Sequence, residues 1–346
     1  MRALVCEDGG ALRLASVDAP VIEAPGDVLV RITTTTICGG DVHLRHGVIP
    51  AEMGFVMGHE YVGVVEAVGE GVRTRRPGDR VVGAAIISCG VCDRCAKGAA
   101  QQCRDGGILG AGRSWGGFGG THAEMLRVPF ADRTTALVPG ELDDEQVLLV
   151  GDILSTGLHG ARTGGVRPGD VVAVLGAGPV GLCAVHATTL FGPSRIVATD
   201  LEPARLAVAR RLGADAVVDA GAPDVVGAVL EATGGVEPDV VIEAAGSQPT
   251  LLQAAELVRP GGRVAIIGNP GAARELPLID LFNKAATVTG GLAALDRMPE
   301  LIRLIAAGRL DLRPLITHRF ALDEIAAAFD LFERRQENVV KVAVQV

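Results

Sequence analysis

Two rhythms of hydrophobic and polar positions divide the chain. Over the first 150 residues, short β-branched runs at 28–36, 61–68 and 80–85 are separated by Gly, Pro and Asp turns, which predicts a β-rich unit. Pro77-Gly78-Asp79 reads as a tight reversal feeding the run that begins at Arg80. From about residue 165 the pattern changes. Apolar runs at 171–175, 195–199, 240–245 and 263–267 alternate with Ala-, Leu- and Arg-rich helical stretches at 180–190, 203–212 and 249–258. Strand and helix in alternation predict a doubly wound parallel sheet. Strands that are apolar without interruption suit a sheet covered on both faces. Two amphipathic stretches, 298–307 and 323–333, precede a last strand at 339–344. Periodicity leaves open whether this tail returns to the first unit.

Length and composition narrow the reading. A chain of 346 residues exceeds what one core usually organises, so two domains are expected. Aromatic residues make up only 3% and the formal charge is −9, so neither base stacking nor attraction to phosphate backbones or anionic lipid is expected. No apolar run approaches the roughly 20 residues of a membrane span, and the opening MRALVCEDGG has no signal-peptide core. The cytoplasm is the expected location, with no nucleic-acid or membrane partner.

Gly176, Gly178 and Gly181 stand in G-A-G-P-V-G, directly after the strand at 171–175 and at the start of a helix. In that setting the first glycine makes the turn, the second admits a pyrophosphate and the third allows helix–strand packing. Asp200, at the end of the next strand, is placed to accept from the adenosine ribose hydroxyls and to repel a 2′-phosphate, which predicts NAD over NADP. Arg205 nearby would soften that preference.

Cys89, Cys92, Cys95 and Cys103 follow C-x2-C-x2-C-x7-C. In the cytoplasm such a group points to a metal, not to disulfides. Four thiolates close a tetrahedral structural zinc site, whereas the bacterial iron–sulfur run ends with three intervening residues and a proline. Upstream, Cys38-Gly39-Gly40-Asp41 and His43 precede Gly58-His59-Glu60. Carboxylates such as Asp41 and Glu60 in apolar surroundings need a metal or an imidazole as partner. Cys38 and His59 are therefore candidate ligands of a second, catalytic metal.

Gly58-His59-Glu60 with Gly63, Gly69 and Val72 resembles the zinc alcohol dehydrogenase signature, and the motif around Cys38 resembles that family's C-G-[ST]-D-x-H. Pro77-Gly78-Asp79-Arg80-Val81, the cysteine lobe and the glycine fingerprint stand in the family's order, so the resemblance to the medium-chain zinc alcohol dehydrogenases spans nearly the whole chain. It implies a β-rich GroES-like catalytic domain at 1–152 with its zinc lobe at 89–103, a Rossmann domain at 153–291, and a return to the catalytic domain at 292–346. It implies two zinc ions per chain, the catalytic one on Cys38, His59 and, where many relatives have cysteine, Asp152. This last is similar to bacterial secondary alcohol dehydrogenases. By the same resemblance Glu60 is a mobile carboxylate and alternate ligand, Asp41 holds the far nitrogen of His59, and Thr156 and Val180 pack on the nicotinamide. A homodimer or homotetramer is the usual assembly.

One departure stands out. The family places Ser or Thr two residues after the first cysteine to pass the substrate proton outward, and this chain has Gly40. A water-filled relay reaching His43 through the cofactor ribose is the expected substitute. The expected reaction interconverts a small secondary alcohol or polyol and its carbonyl by hydride transfer. Sugar or cyclitol dehydrogenation, a formaldehyde dehydrogenase or dismutase activity, and a non-catalytic NAD-binding role are the alternatives. His46, Trp115 and Phe118 are candidate pocket residues. Cys6 and Cys183 are expected in the core, and His122, His186 and His318 have no partner legible in sequence.

Overall fold

The computed structural model describes residues 1–346, and they form two compact units, Met1–Ser155 with Ala294–Val346, and Thr156–Ala293.

In the first unit the strand Val28–Thr36 is the hub. It pairs antiparallel with Tyr61–Val68 on one side and with the C-terminal strand Lys341–Gln345 on the other, with Met125–Val128 also bonded to it. Arg80–Gly83 and Thr135–Leu137 extend the sheet beyond Tyr61–Val68, and Ile316–Ala321 closes its far end parallel to Lys341–Gln345. The tail therefore belongs to the first unit. Alternating burial along Val28–Thr36 sends Val28, Val30 and Ile32 into one core with Tyr61, Val65 and Leu126. A second core forms where Leu4, Ile37 and Met57 meet Phe329 of the C-terminal helix Ile325–Glu333. Each such side chain contributes roughly 1.5–3 kcal/mol on burial.

The second unit is a six-stranded parallel sheet in the order Ala216–Asp219, Arg195–Asp200, Val171–Leu175, Val240–Glu243, Arg263–Ile266, Thr287–Gly290. Numbered along the chain this is 3-2-1-4-5-6, the Rossmann order, whose switch point lies between the first and fourth strands. All five residues of Val171–Leu175 are buried, as an unbroken apolar run requires. Ala216–Asp219 and Thr287–Gly290 are absent from the periodicity reading. They are edge strands of four residues, too short and too mixed in polarity to show a period.

Candidate active site

Three backbone devices bring the candidate ligands of the first unit together. Cys38 is the N-cap of the helix Gly39–Arg45, and Asp41, at the third helical position, accepts the Cys38 N–H at 2.8 Å. His59 follows Gly58, whose φ of +96° turns the chain before the strand Tyr61–Val68. Asp152 projects from a π turn, Val150–Leu154, in which the Leu154 N–H reaches back five residues to Leu149. Such turns recur at functional sites because they re-aim one side chain within a helix.

The donor atoms of Cys38, His59, Glu60 and Asp152 all lie within 4.8 Å of one another. His59 Nε2 is 3.4 Å from Asp152 Oδ2, and Cys38 Sγ is 3.8 Å from the same oxygen. Tetrahedral bonds of ordinary zinc length place an N···O pair about 3.4 Å apart and an S···O pair about 3.6 Å apart. The residues fit zinc. On the far side of the ring, His59 Nδ1 lies 3.1 Å from Asp41 Oδ1, so Nε2 is the nitrogen left for a metal. Burial alone would raise the Asp41 carboxyl, but His59 and His122 hold it well below the usual carboxylate range.

The cysteine quartet forms the second cluster. Cys92 Sγ and Cys103 Sγ are 3.9 Å apart, against about 3.8 Å for two thiolates on one zinc. Backbone N–H groups, that of Arg104 foremost, bring the Cys92 thiol down to about 6. That favours the thiolate a metal needs at Cys92, whereas burial raises the Cys95 and Cys103 thiols.

In the second unit, Gly176 has φ +94°, and a Cβ on Gly181 would stand 1.8 Å from the Gly176 carbonyl oxygen. Both glycines are demanded by the protein itself. Gly178 is different: its backbone is extended, and a Cβ there would meet only Arg205 Nη1, at 4.0 Å. It leaves open space at the N-cap of the helix Pro179–Thr188, whose N-terminus suits a pyrophosphate. Val180 is half-buried in the first turn of that helix. Asp200 accepts from the Ala177 N–H at 2.7 Å and the Glu202 N–H at 3.0 Å, which locks the carboxylate at its strand end. Thr156 sits on the helix Ser155–Thr163, where Gly157 packs directly on the backbone of Cys183 and Ala184.

The second unit has the strand order and glycine turn of a dinucleotide-binding unit, and the first carries two clusters that could each hold a metal. Residues 24–139 match the alcohol dehydrogenase GroES-like domain and residues 179–307 the zinc-binding dehydrogenase domain. An alcohol dehydrogenase of Cupriavidus necator is 39% identical, covering 100% of this chain and 98% of its own length. The chain belongs to the zinc-dependent medium-chain alcohol dehydrogenase family. The structure of alcohol dehydrogenase TADH from Thermus sp. ATN1 is similar with a TM-score of 0.94 and 41% identity, covering 100% of both chains. Sorbitol dehydrogenase of Bacillus subtilis is 30% identical over 99% of this chain and 97% of its own. As a member of the zinc-dependent alcohol dehydrogenases, this chain is an oxidoreductase acting on alcohols or polyols, with zinc and a nicotinamide dinucleotide as cofactors.

Against that family the other sequence candidates sort plainly. His43 lies on the helix Gly39–Arg45 with an enclosed Nδ1 that has no hydrogen-bond partner. Gly40 abuts the His59 ring: a Cβ there would stand 3.3 Å from His59 Cε1. His46 is bonded at 2.6 Å to Glu333, and the Trp115 indole N–H donates to Pro50, so both are engaged in ties within the first unit. Cys6 and Cys183 are buried.

Three groups at these sites escaped the sequence reading. Lys341, in the last strand, is fully buried and donates to Glu60 Oε1 at 2.5 Å and to the Ile37 carbonyl at 2.9 Å. Burial opposes its charge, yet the facing Glu60 carboxylate outweighs it and raises the amine. Glu60 Oε2 is left without a partner. In the second unit Glu243 is buried at the end of the switch-point strand, where Oε1 accepts from the Ala245 and Gly246 N–H groups and the Thr250 hydroxyl. It thereby shapes the loop that packs on Gly176. His122 is the third. Lys341 and Glu243 each stand as a lone charge in an apolar run, the one signal that marks them in sequence.

Proposed function

We propose that this alcohol dehydrogenase oxidises a small secondary alcohol or polyol with NAD, using zinc held by Cys38, His59 and Asp152, and that the cysteine lobe holds a second, structural zinc. The observation that carries this reading is the convergence of one thiol, one imidazole nitrogen and one carboxylate oxygen at the separations of a three-ligand zinc site. Zinc supplies Lewis acidity at the alcohol oxygen and the nicotinamide supplies the hydride acceptor.

This chain's residues prepare that chemistry. Cys38 and Asp152 bring two negative charges to the ligand set, and Asp41 fixes the tautomer of His59. Glu60, held by Lys341 through one oxygen, has the other free to act as an alternate ligand. Asp200 favours NAD by taking the ribose hydroxyls, while Arg205 and the helix N-terminus beside Gly178 take phosphate. Val180 and Thr156 form the surface for the nicotinamide. Water in the place of the family's hydroxyl beside Gly40 carries the proton toward His43.

Residues 1–152 and 292–346 act as the catalytic part and 153–291 as the NAD-binding part. The strand Thr287–Gly290 is an open edge of the parallel sheet, and Leu278, Ile279 and Phe282 stand exposed on the helix Leu278–Asn283. A second copy of the chain covers them, in a homodimer or homotetramer. No helix is long and apolar enough to cross a membrane. Thiols that hold a metal must stay reduced, which suits the cytoplasm.

The test is NADH formation across primary and secondary alcohols, diols and cyclitols, on protein of measured zinc content. Turnover of a secondary alcohol or diol with two zinc ions per chain is expected. Full zinc and NAD binding without turnover of any alcohol would overturn it.

A further inference from the structure

His122 is fully buried, and its polar ring must be partnered to sit there without cost. Its Nδ1 lies 3.0 Å from the Thr35 hydroxyl, which in turn lies 3.0 Å from the Thr121 hydroxyl, and both hydroxyls reach the Glu60 carbonyl, at 2.8 and 3.2 Å. Its Nε2 has no hydrogen-bond partner and faces Asp41 Oδ2 at 3.6 Å. The ring stands edge-on to Phe329, centroids 5.6 Å apart at 84°.

The chain makes room for this ring at the expense of the residue beside His59. A Cβ on Gly58 would stand 2.6 Å from His122 Nδ1 and 2.7 Å from Cε1. The His122 main chain is tied independently of its side chain, its N–H to Met57 at 2.8 Å and its carbonyl to Leu4 at 2.7 Å. Replacing the ring therefore leaves the backbone in place.

Asp41 is the group on which these contacts converge. Its Oδ1 addresses His59, and its Oδ2 accepts from the Cys38 N–H and faces His122. Both of the other groups belong to candidate zinc ligands. We infer that His122 is a positioning residue: with the Thr121 hydroxyl serving the Glu60 carbonyl and Thr35 donating to Nδ1, Nε2–H points toward Asp41, fixes the rotation of its carboxylate and so orients His59 toward zinc. The inference rests on the zinc assignment proposed above. Partners behind a ligand of this kind govern metal retention about 10–100-fold.

Release of zinc from the purified holoenzyme into a chromophoric chelator tests it, with the cysteine lobe as an internal reference. Gln at 122 reaches the position of Nε2, Asn only that of Nδ1, and Leu neither. We expect His122→Leu and His122→Asn to accelerate release of the catalytic zinc about tenfold or more. His122→Gln stays near the parent rate, and the lobe's phase is unchanged in all three. In an Asp41→Asn background, His122→Leu adds no further acceleration. Parent-like release in the Leu and Asn variants overturns the inference. So does acceleration of both phases together, equal loss in the Gln variant, or an undiminished Leu effect beside Asp41→Asn. A parent enzyme holding one zinc per chain overturns the ligand assignment as well, so the two failures are distinguishable.

Discussion

The two clusters proposed to hold zinc arrange their donors in opposite ways. In the lobe the first and last cysteines are 14 residues apart, all four donors are thiols, and what surrounds them is local and exposed: backbone N–H groups and the Arg104–Asp93 ion pair. In the active centre Cys38 and Asp152 are 114 residues apart, the three donors differ in type, and Asp41, Glu60, Lys341 and His122 crowd behind them, all buried. A closed set of thiolates supplies its own geometry and needs only a short loop. An open set of three must be held by the fold, because one position has to stay available to substrate.

The largest test of this contrast removes one ligand from each cluster. His59→Ala should lose one zinc of two and lower kcat/KM by more than about 10³-fold, since Lewis-acid stabilisation is worth several kcal/mol. The lobe zinc should remain. Zinc analysis and steady-state kinetics read both, and a His59→Ala enzyme with two zinc ions and parent-like turnover breaks the contrast.

The next test concerns the support behind the open site. Lys341 and Glu60 are a buried pair, so Lys341→Met leaves an uncompensated carboxylate and should cost about 3–5 kcal/mol in chemical denaturation. Adding Glu60→Gln should recover much of that loss. Equal stability of Lys341→Met and parent would show the pair to be dispensable.

Cys103→Ser sharpens the other side. Treated as a cross-link closing the 89–103 loop, the lobe zinc contributes about 3 kcal/mol. The variant should lose one zinc and stability of that order, while the folded fraction keeps parent kcat per molecule. A collapse of kcat in folded protein would tie the lobe to the chemistry.

The same contrast explains what could be read before the fold was known. The lobe, the G-A-G-P-V-G turn and the strands Val171–Leu175, Val28–Thr36 and Tyr61–Val68 are local patterns, and each appears in the structure where its period or spacing places it. Asp152 is recognisable only by resemblance, because nothing within its own turn marks it as a ligand. His122 carries no signal in sequence, and Lys341 and Glu243 only that of a lone charge in an apolar run. Lys341 bonds to Glu60 and Ile37, 281 and 304 residues away, and His122 faces Thr35, 87 residues away, while Glu243 holds groups only two to seven residues further on, in a loop that no period announces. The short edge strands fail for want of length.

The smallest effect is expected at Gly40 and His43, where the open site meets its proton path. Burial first, and His46 second, lower the His43 imidazole from its ordinary value. A base with a lowered pKa stays neutral as pH falls through about 6.5, so the acid limb of kcat should break below that value. His43→Gln should remove this inflection. Gly40→Ser restores a hydroxyl, but its Cβ presses the His59 ring at 3.3 Å, closer than comfortable contact. The ring can give by a few tenths of an ångström, so zinc content should stay at two. The change in kcat/KM should not exceed about tenfold, or 1.4 kcal/mol, and the pH profile should shift. An unshifted profile in both variants would mean that the proton leaves this centre without His43. The open position would then be drained by solvent directly, and the mixed donors, the open position and the buried support would be what sets the active centre apart from the closed lobe.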